Sequence, residues 1–583
     1  MSDIKDTFPN AEEPEEAADP FDEEQVEADQ PKTKQKSVAR SAGIVSIAVM
    51  FSRVFGLARE MVFSRLFGAG FLYDAFIVGF RIPNLLRDLF AEGALSAAFV
   101  KVFTDYQINK SEKEAWRLAS LIFNGLAIIL SLVTLLGILL APYYVPFIAW
   151  GFEPEKARLA VTLTQIMFPF ILLVALAAVA MGVLNTKGHF GIPASASTAF
   201  NIVSIILGLA FAYYLSGGGW ISSNDKNAIP ELPAQWAIIG MAIGTLIGGA
   251  AQFVIQIPSL YRVGFRFFPQ INFSNPGVKR VMRLMGPAII GTSAVQVKVL
   301  VDTFIVSGIE GGNSWLPYSF RLMQFPIGLF GVAIGTAAIP ALSRLASENK
   351  TGEFRSTLSN ALNLVFLMTI PSACGLIVLG EPIIRLIYQG GAFTDFDTNM
   401  TSWALAAYSV GLAGYAAIKV LSPSFYALDD AKTSMYVSIA SILIHVGTSY
   451  SLMKLFSTVG VTAERPSGFG HIGVALATSI IALLNFLALT FLMRRKIGRI
   501  EGRTILSSLV KIIIASLLMS AACYGSYYAL SNFFQTKTLI VQFAEALIPI
   551  AVGGIVFLFA AKILGVKELN QAINTVKRKF KRK

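Results

Sequence analysis

The sequence predicts an all-α polytopic membrane protein of about 14 transmembrane helices, and three observations lead there. First, 54% of the 583 residues are hydrophobic and 14% charged, with mean hydropathy +0.62. A soluble domain carries about 25% charged residues. Second, apolar windows of about 20 residues recur along the chain, the length that crosses a bilayer as a helix. Only helices or closed barrels satisfy their backbone in lipid, and these windows have helical length. Third, lysine and arginine are concentrated in alternate connecting loops, as topology requires.

Residues 1–36 open the chain with twelve acidic residues and four lysines, a disordered, cytoplasmic acidic tail by composition. It has no basic start followed by an apolar core, so it is not a signal peptide. Six spans near 40–64, 71–104, 115–143, 157–185, 193–215 and 235–260 form a first lobe, 37–265. Six more near 281–308, 315–345, 356–382, 400–426, 433–456 and 471–494 form a second, 266–498. Spans near 504–531 and 540–566 lie in a C-terminal pair, 499–570, before a basic cytoplasmic tail, 571–583. The base-rich connections KSEKEAWR (110–117), YRVGFRFFPQINFSNPGVKRVMR (261–283), SRLASENKTGEFR (343–355) and RRKIGRIEGR (494–503) fall on one side together with VKRKFKRK (576–583). Both termini are therefore expected in the cytoplasm.

Phe80 begins FRIPNLLRDLFAEGALSAAF and Phe320 begins FRLMQFPIGLFGVAIGTAAI, with Phe, Arg, a Leu-Phe pair and an Ala-Ala pair in register. Each copy lies in the second span of its set of six. The repeat implies a transporter of two related lobes with a site between them near the midplane; chance similarity of two apolar helices is the alternative.

The charges inside the spans carry the chemistry. Arg53, Arg59 and Arg65 lie on the first span, Arg81 and Arg87 on the second and Arg321 on the eighth. Arginine at mid-bilayer costs about 3 kcal/mol even on lenient scales, so such residues face water or a partner. Guanidinium is a planar fork suited to phosphate oxygens, which points to a phosphorylated anion. Arg65, next to Gly68 and Gly70, reads equally as an interfacial anchor. On the second span Asp74, Arg81 and Asp88 recur every seven residues, on one face. Pro83 is expected to interrupt that helix among Asn84, Arg87 and Glu92, forming a cavity wall or gate, or a set of ion pairs that neutralises the span. Lys298 and Asp302, four apart on the seventh span, read as a cation site or as a mutually neutralised pair. Gly244 and Gly248 suggest close helix packing. Cys374 and Cys523 sit in apolar runs, His189, His445 and His471 are scattered, and no HExxH or CxxC occurs, so no metal cluster is indicated.

The runs SRVFGLARE, GAGFLYDAF and FRIPNLLRDLFAEGALSAAFV closely resemble the MurJ (MviN) family of bacterial lipid II flippases. RLMQFPIGLFGVAIGTAAIPALS and VLSPSFYALDDAKTS are similar to it too, and the resemblance spans about residues 38–570. That family belongs to the multidrug/oligosaccharidyl-lipid/polysaccharide exporter superfamily. The resemblance implies two six-helix lobes in a V-shaped arrangement plus a C-terminal pair lining a groove for a lipid tail. It implies a transporter rather than an enzyme, in the bacterial cytoplasmic membrane, moving undecaprenyl-diphosphate-linked disaccharide-pentapeptide (lipid II) to the outer leaflet by alternating access. Arg53, Arg59, Arg321 and Arg87 look like substrate-binding positions. Asp74, Asn84, Glu92, Arg81 and Ser314 are expected to shape the cavity and its gate. Asp302 matches a position that some members use for sodium, although the eleventh span offers only His445, Thr448 and Ser449 beside it. The partners implied are lipid II, membrane lipids and the cell-wall synthesis machinery, with no nucleic acid. No cofactor is implied beyond a coupling ion, sodium or proton, or the membrane potential.

Other functions are weighed against this one. A cation-drug exporter of the same superfamily calls for a carboxylate-lined cavity, whereas these spans favour arginine; an exporter of lipid-linked O-antigen-type oligosaccharide shares the diphosphate and stays open. A membrane enzyme acting on such a lipid needs convergent acid, base or metal groups in its outer loops, which are short and offer none. A scaffold without transport has no use for the intramembrane charges.

Overall fold

The structure, a computed structural model, describes residues 32–89, 95–218, 231–498, 502–534, 538–566 and 568–569, and the elements among them are helices joined by irregular connections, such as 263–275. The first helices are α1 (Lys32–Phe67), α2 (Phe71–Arg87), α3 (Leu95–Asn109), α4 (Glu112–Ile148), α5 (Pro154–Met167), α6 (Phe170–Thr186), α7 (Gly191–Leu215), α8 (Leu232–Val254) and α9 (Ile257–Arg262). There follow α10 (Pro276–Val306), α11 (Gly312–Pro326), α12 (Ala333–Ser347), α13 (Thr351–Tyr388), α14 (Asp395–Val410), α15 (Leu412–Ala427), α16 (Ala431–Phe456), α17 (Gly470–Ile497), α18 (Gly502–Phe533) and α19 (Leu539–Ile563). Among the described residues ten helices are long and apolar enough to cross a membrane, or eleven if α14 and α15, bent by 43°, make one span. The helices carrying Arg53, Arg59, Arg65, Arg81 and Arg87 and the Lys298–Asp302 pair (α1, α2 and α10) are not among the ten, whereas Arg321 lies in one of them, Gly312–Ser347.

Local signals set the helix starts. Ser111 accepts from Glu114 N at 3.2 Å to open α4, and Asn275 accepts from Gly277 N at 2.9 Å to open α10. Thr394 and Asp397 form a capping box at α14. Each satisfies amide groups that the first turn leaves unpaired. Asp430 caps α16 and also meets Lys496 Nζ at 2.8 Å. The Lys496 ammonium and Thr433 hold the Asp430 carboxyl below the usual carboxylate range.

The helices α1 to α9 pack mainly among themselves, as do α10 to α17, and α18 and α19 pair with each other against α13. The tightest contact is α7 on α8. Gly240 lies against Ala212, Gly244 against Gly208 and Gly248 against Ser204. A Cβ at Gly244 would stand 2.3 Å from the Gly208 Cα. The Gly244/Gly248 spacing is thus a helix-packing ladder of small residues, whose missing side chains let the backbones touch. Gly244→Leu is expected to cost at least the roughly 1–3 kcal/mol of an overpacked core, read as a lower unfolding midpoint in detergent.

Three features differ from the sequence expectations. The first helix begins at Lys32, so residues 32–36 of the expected tail are helical; residues 1–31, Glu92 and the tail 571–583 lie outside the described residues. Pro83 does not interrupt α2, which runs to Arg87 before a π turn at 88–89. Proline is tolerated in membrane helices where neighbouring groups satisfy the freed backbone. The eighth span instead contains a π-helical segment, Ile327–Val332, directly after Pro326. Pro326 and the glycines of IGLFG explain the local unwinding.

Candidate functional site

Arginines from both helix groups converge on α1. Arg59 and Glu60 are successive residues about two turns before its C-terminal end. The Glu60 carboxylate is 6% exposed and accepts from Arg321 Nε of α11 at 2.6 Å. Tyr388 of α13 donates to it at 3.4 Å. The Arg321 side chain remains half exposed, at 51%. Arg59 stacks its guanidinium over the Phe200 ring of α7, 4.9 Å from the centroid, and lies within electrostatic range of Arg321, Glu60 and Arg87. Two cations, Arg59 and Arg321, therefore share one buried acid, an excess of positive charge that an anion would relieve. Arg87 donates to Asp88 at 2.6 Å, and Asp88 accepts from Gln296 of α10 at 3.0 Å.

Arg53 sits two turns earlier on α1 and is exposed. Its guanidinium lies against Gly328, where a Cβ would stand 3.5 Å from both terminal nitrogens. Gly328 is in the π-helical segment, so the irregular backbone of the second group faces an arginine of the first. The helix α1 is continuous through Gly56, which admits Asn201 beside it. Arg65 is exposed at the end of α1, where its carbonyl accepts from Ala392 N at 2.8 Å. Gly391, at φ +57°, makes that contact possible, because a Cβ there would meet the Arg65 oxygen at 2.1 Å.

The face of α2 bearing Asp74, Arg81 and Asp88 looks toward the second group at three levels. Asp74 is fully buried. It accepts from Ser314 Oγ at 2.5 Å, from Gly311 N at 2.9 Å and from Lys156 Nζ of α5 at 2.9 Å. Lys156 also reaches Glu310 at 2.6 Å. Ser307 Oγ accepts from Gly151 N at 2.9 Å alongside. These bonds clasp the 149–156 and 307–314 segments together, at the same end of the molecule as the Arg65–Ala392 contact. Arg81, one level down, lies within electrostatic range of Asp302 and Tyr408. Asn84 follows one turn later and is half-buried. The repeat thus has a reciprocal geometry: Arg321 of one copy reaches an acid on α1, and Arg81 of the other approaches an acid on α10.

Around Asp302, Lys298 Nζ donates to Oδ2 at 2.8 Å and to Thr478 Oγ1 of α17 at 3.1 Å. His445 Nε2 lies 2.6 Å from Oδ1, and Ser449 Oγ donates to it at 3.4 Å. Thr448 bonds back to its own helix, at Ile444 O. Among the described residues no group of three or more His, Cys, Asp or Glu could hold a metal ion.

Sequence reasoning missed Glu60, Lys156, Glu310 and Tyr388. Glu60 had a signal, an acid adjacent to Arg59 in an apolar span. Lys156, in the polar run EPEKAR, gave no sign of burial, because its depth comes from the meeting of two loops distant in sequence.

A family model described as lipid II flippase MurJ matches residues 63–548. The chain belongs to the lipid II flippase MurJ family. A probable lipid II flippase MurJ of Buchnera aphidicola subsp. Acyrthosiphon pisum is 32% identical over 530 residues, 90% of this chain and 97% of its own. The lipid II flippase MurJ of Burkholderia cenocepacia is 35% identical over 461 residues, covering 78% of this chain and 83% of its own. A solved lipid II flippase MurJ in an inward closed conformation superposes with TM-score 0.68 at 29% identity, over 89% of this chain and 98% of that one. An inward-facing MATE multidrug transporter of the MOP superfamily matches in fold, with TM-score 0.62 at 14% identity over 79% of this chain and 99% of its own. Membership in the MurJ family makes the chain a transporter rather than an enzyme, and favours the lipid flippase over the drug exporter.

Proposed function

We propose that this MurJ-family chain flips lipid II, the undecaprenyl-diphosphate-linked disaccharide-pentapeptide, from the cytoplasmic to the outer leaflet of the bacterial inner membrane. The observation that carries the reading is the Arg59–Glu60–Arg321 constellation, in which cations from two helix groups share one buried carboxylate. Fourteen spans form two lobes in a V plus α18 and α19, which line a groove for the polyprenyl tail. Both termini are cytoplasmic, in keeping with the base-rich loops.

The diphosphate enters among Arg53, Arg59, Arg87 and Arg321 and exchanges with Glu60 for Arg321. Glu60 is a counter-ion that keeps the empty site from repelling itself apart. Phosphate oxygens form charge-assisted, often bidentate bonds to guanidinium, so the exchange favours the substrate once its headgroup is inside. Asp74, Lys156, Ser314 and Glu310 close one end of the interlobe space, and their release opens it to the outer face. Arg81 and Asn84 line the wall between that clasp and the arginines. An inside-negative potential of 100 mV supplies about 2.3 kcal/mol for each elementary charge carried across, which favours export of the anionic substrate.

Reconstitution tests the reading. Vesicles containing the protein and headgroup-labelled lipid II should expose the inner-leaflet pool to a membrane-impermeant quencher, whereas protein-free vesicles expose the outer leaflet alone. Equal quenching in both preparations would contradict it.

A further inference from the structure

Asp302 matches a position that some family members use for sodium, and the residues around this carboxylate do not fit that ion. Both of its oxygens are engaged: Oδ2 by the Lys298 ammonium at 2.8 Å, and Oδ1 by His445 at 2.6 Å and Ser449 at 3.4 Å. The ammonium has a second oxygen acceptor, Thr478 Oγ1 of another helix, at 3.1 Å. A carboxylate and a hydroxyl from two helices are the donor set that a hard cation takes. Tyr408 and Tyr415 of the neighbouring helices lie within electrostatic range, and from α2 so does the guanidinium of Arg81. A sodium ion added here would join two cations around one acid, with no further carboxylate beside them among the described residues.

We infer that the Lys298 ammonium is a tethered replacement for a coupling cation: the pocket between Asp302 and Thr478 is a monovalent-cation site that this chain fills with its own side chain. Resting on the flippase reading, transport is then independent of sodium, and the potential acts on fixed charges and substrate alone. The lysine remains bound through every cycle, because four carbons tie it to α10. Removing the side chain while keeping Asp302 should convert an internally neutralised site into one that takes an ion from solution.

Thermal unfolding of the full-length protein in detergent tests this, in sodium chloride against choline chloride at equal ionic strength. The unaltered protein should show the same midpoint in both salts. Lys298→Ala should unfold at a lower midpoint in choline and gain a saturable, sodium-dependent rise, as linkage requires of a ligand bound only by the native state. Lys298→Ala combined with Asp302→Asn should lose that rise. Saturable stabilisation of the unaltered protein by sodium would overturn the inference, as would a folded Lys298→Ala variant indifferent to sodium. Should Lys298→Ala not fold, radioactive sodium binding to the unaltered protein decides: none is expected, and saturable binding contradicts it. None of these readouts requires lipid II movement, so they stand apart from the flippase assay.

Discussion

Arg321→Ala should abolish growth of cells that depend on this chain for lipid II export, while the protein still inserts at normal levels. Arg321 is held by an acid of the opposite helix group, at 2.6 Å from Glu60. Each hydrogen bond to a charged group contributes about 1.5–3 kcal/mol, so losing even one phosphate contact lowers affinity roughly tenfold to more than a hundredfold. The substitution also strands Glu60, a buried carboxylate, beside the incoming diphosphate. Repulsion between the two anions then adds to the lost attraction. Pairing Arg321→Ala with Glu60→Gln separates these effects. The double variant should regain stability, measured by unfolding midpoint, without regaining growth. Restored growth in the double variant would make Arg321 a structural partner of Glu60 rather than a substrate ligand. Arg59→Ala and Arg53→Ala should also fail to rescue. Normal growth of all three single variants would show that the site is elsewhere.

Lys156→Met should open the clasped end. Its ammonium is 3% exposed and lies between Asp74, 0% exposed, and Glu310, so removing it leaves a buried carboxylate without its cation. Breaking a buried pair in this way costs about 3–5 kcal/mol. Moving a two-state equilibrium from 1:99 to 99:1 takes about 5.5 kcal/mol, so the loss carries most of that shift. A cysteine at Ser307, buried beside Gly151, reports the change. Its labelling by a membrane-impermeant maleimide should rise strongly in the Lys156→Met background. Unchanged labelling, with the protein folded, would mean that the Asp74 cluster only stabilises the fold. Asp74→Asn offers a milder comparison, because the amide still accepts from Ser314 while losing the charge that holds Lys156.

The sequence revealed more of the helices than of their partners. Apolar runs bounded by Ser111, Asn275, Thr394 and Asp430 mark where helices start, because capping is local chemistry written in adjacent residues. The period of seven through Asp74, Arg81 and Asp88 also showed that one face of α2 is special. Hidden from the sequence was what that face meets, since Lys156 reaches Asp74, and Glu310 reaches Lys156, only through the packing of segments distant in sequence. The same limit explains Glu60. Its charge is plain in the sequence, but its role depends on Arg321, 261 positions further along. Pro83 misled because proline breaks a helix in water more readily than one buried among other helices, and the irregular backbone instead follows Pro326. Lys298 and Asp302 were legible as a pair from their spacing, whereas Thr478 and His445, which complete the pocket, come from other helices.

The central claim is tested most directly by leaflet-specific labelling of lipid II in cells where this chain is the sole flippase and is rapidly depleted. Lipid II exposed on the outer leaflet should fall as the protein disappears, while the inner pool accumulates behind it. Outer-leaflet lipid II that holds steady after depletion would contradict the assignment.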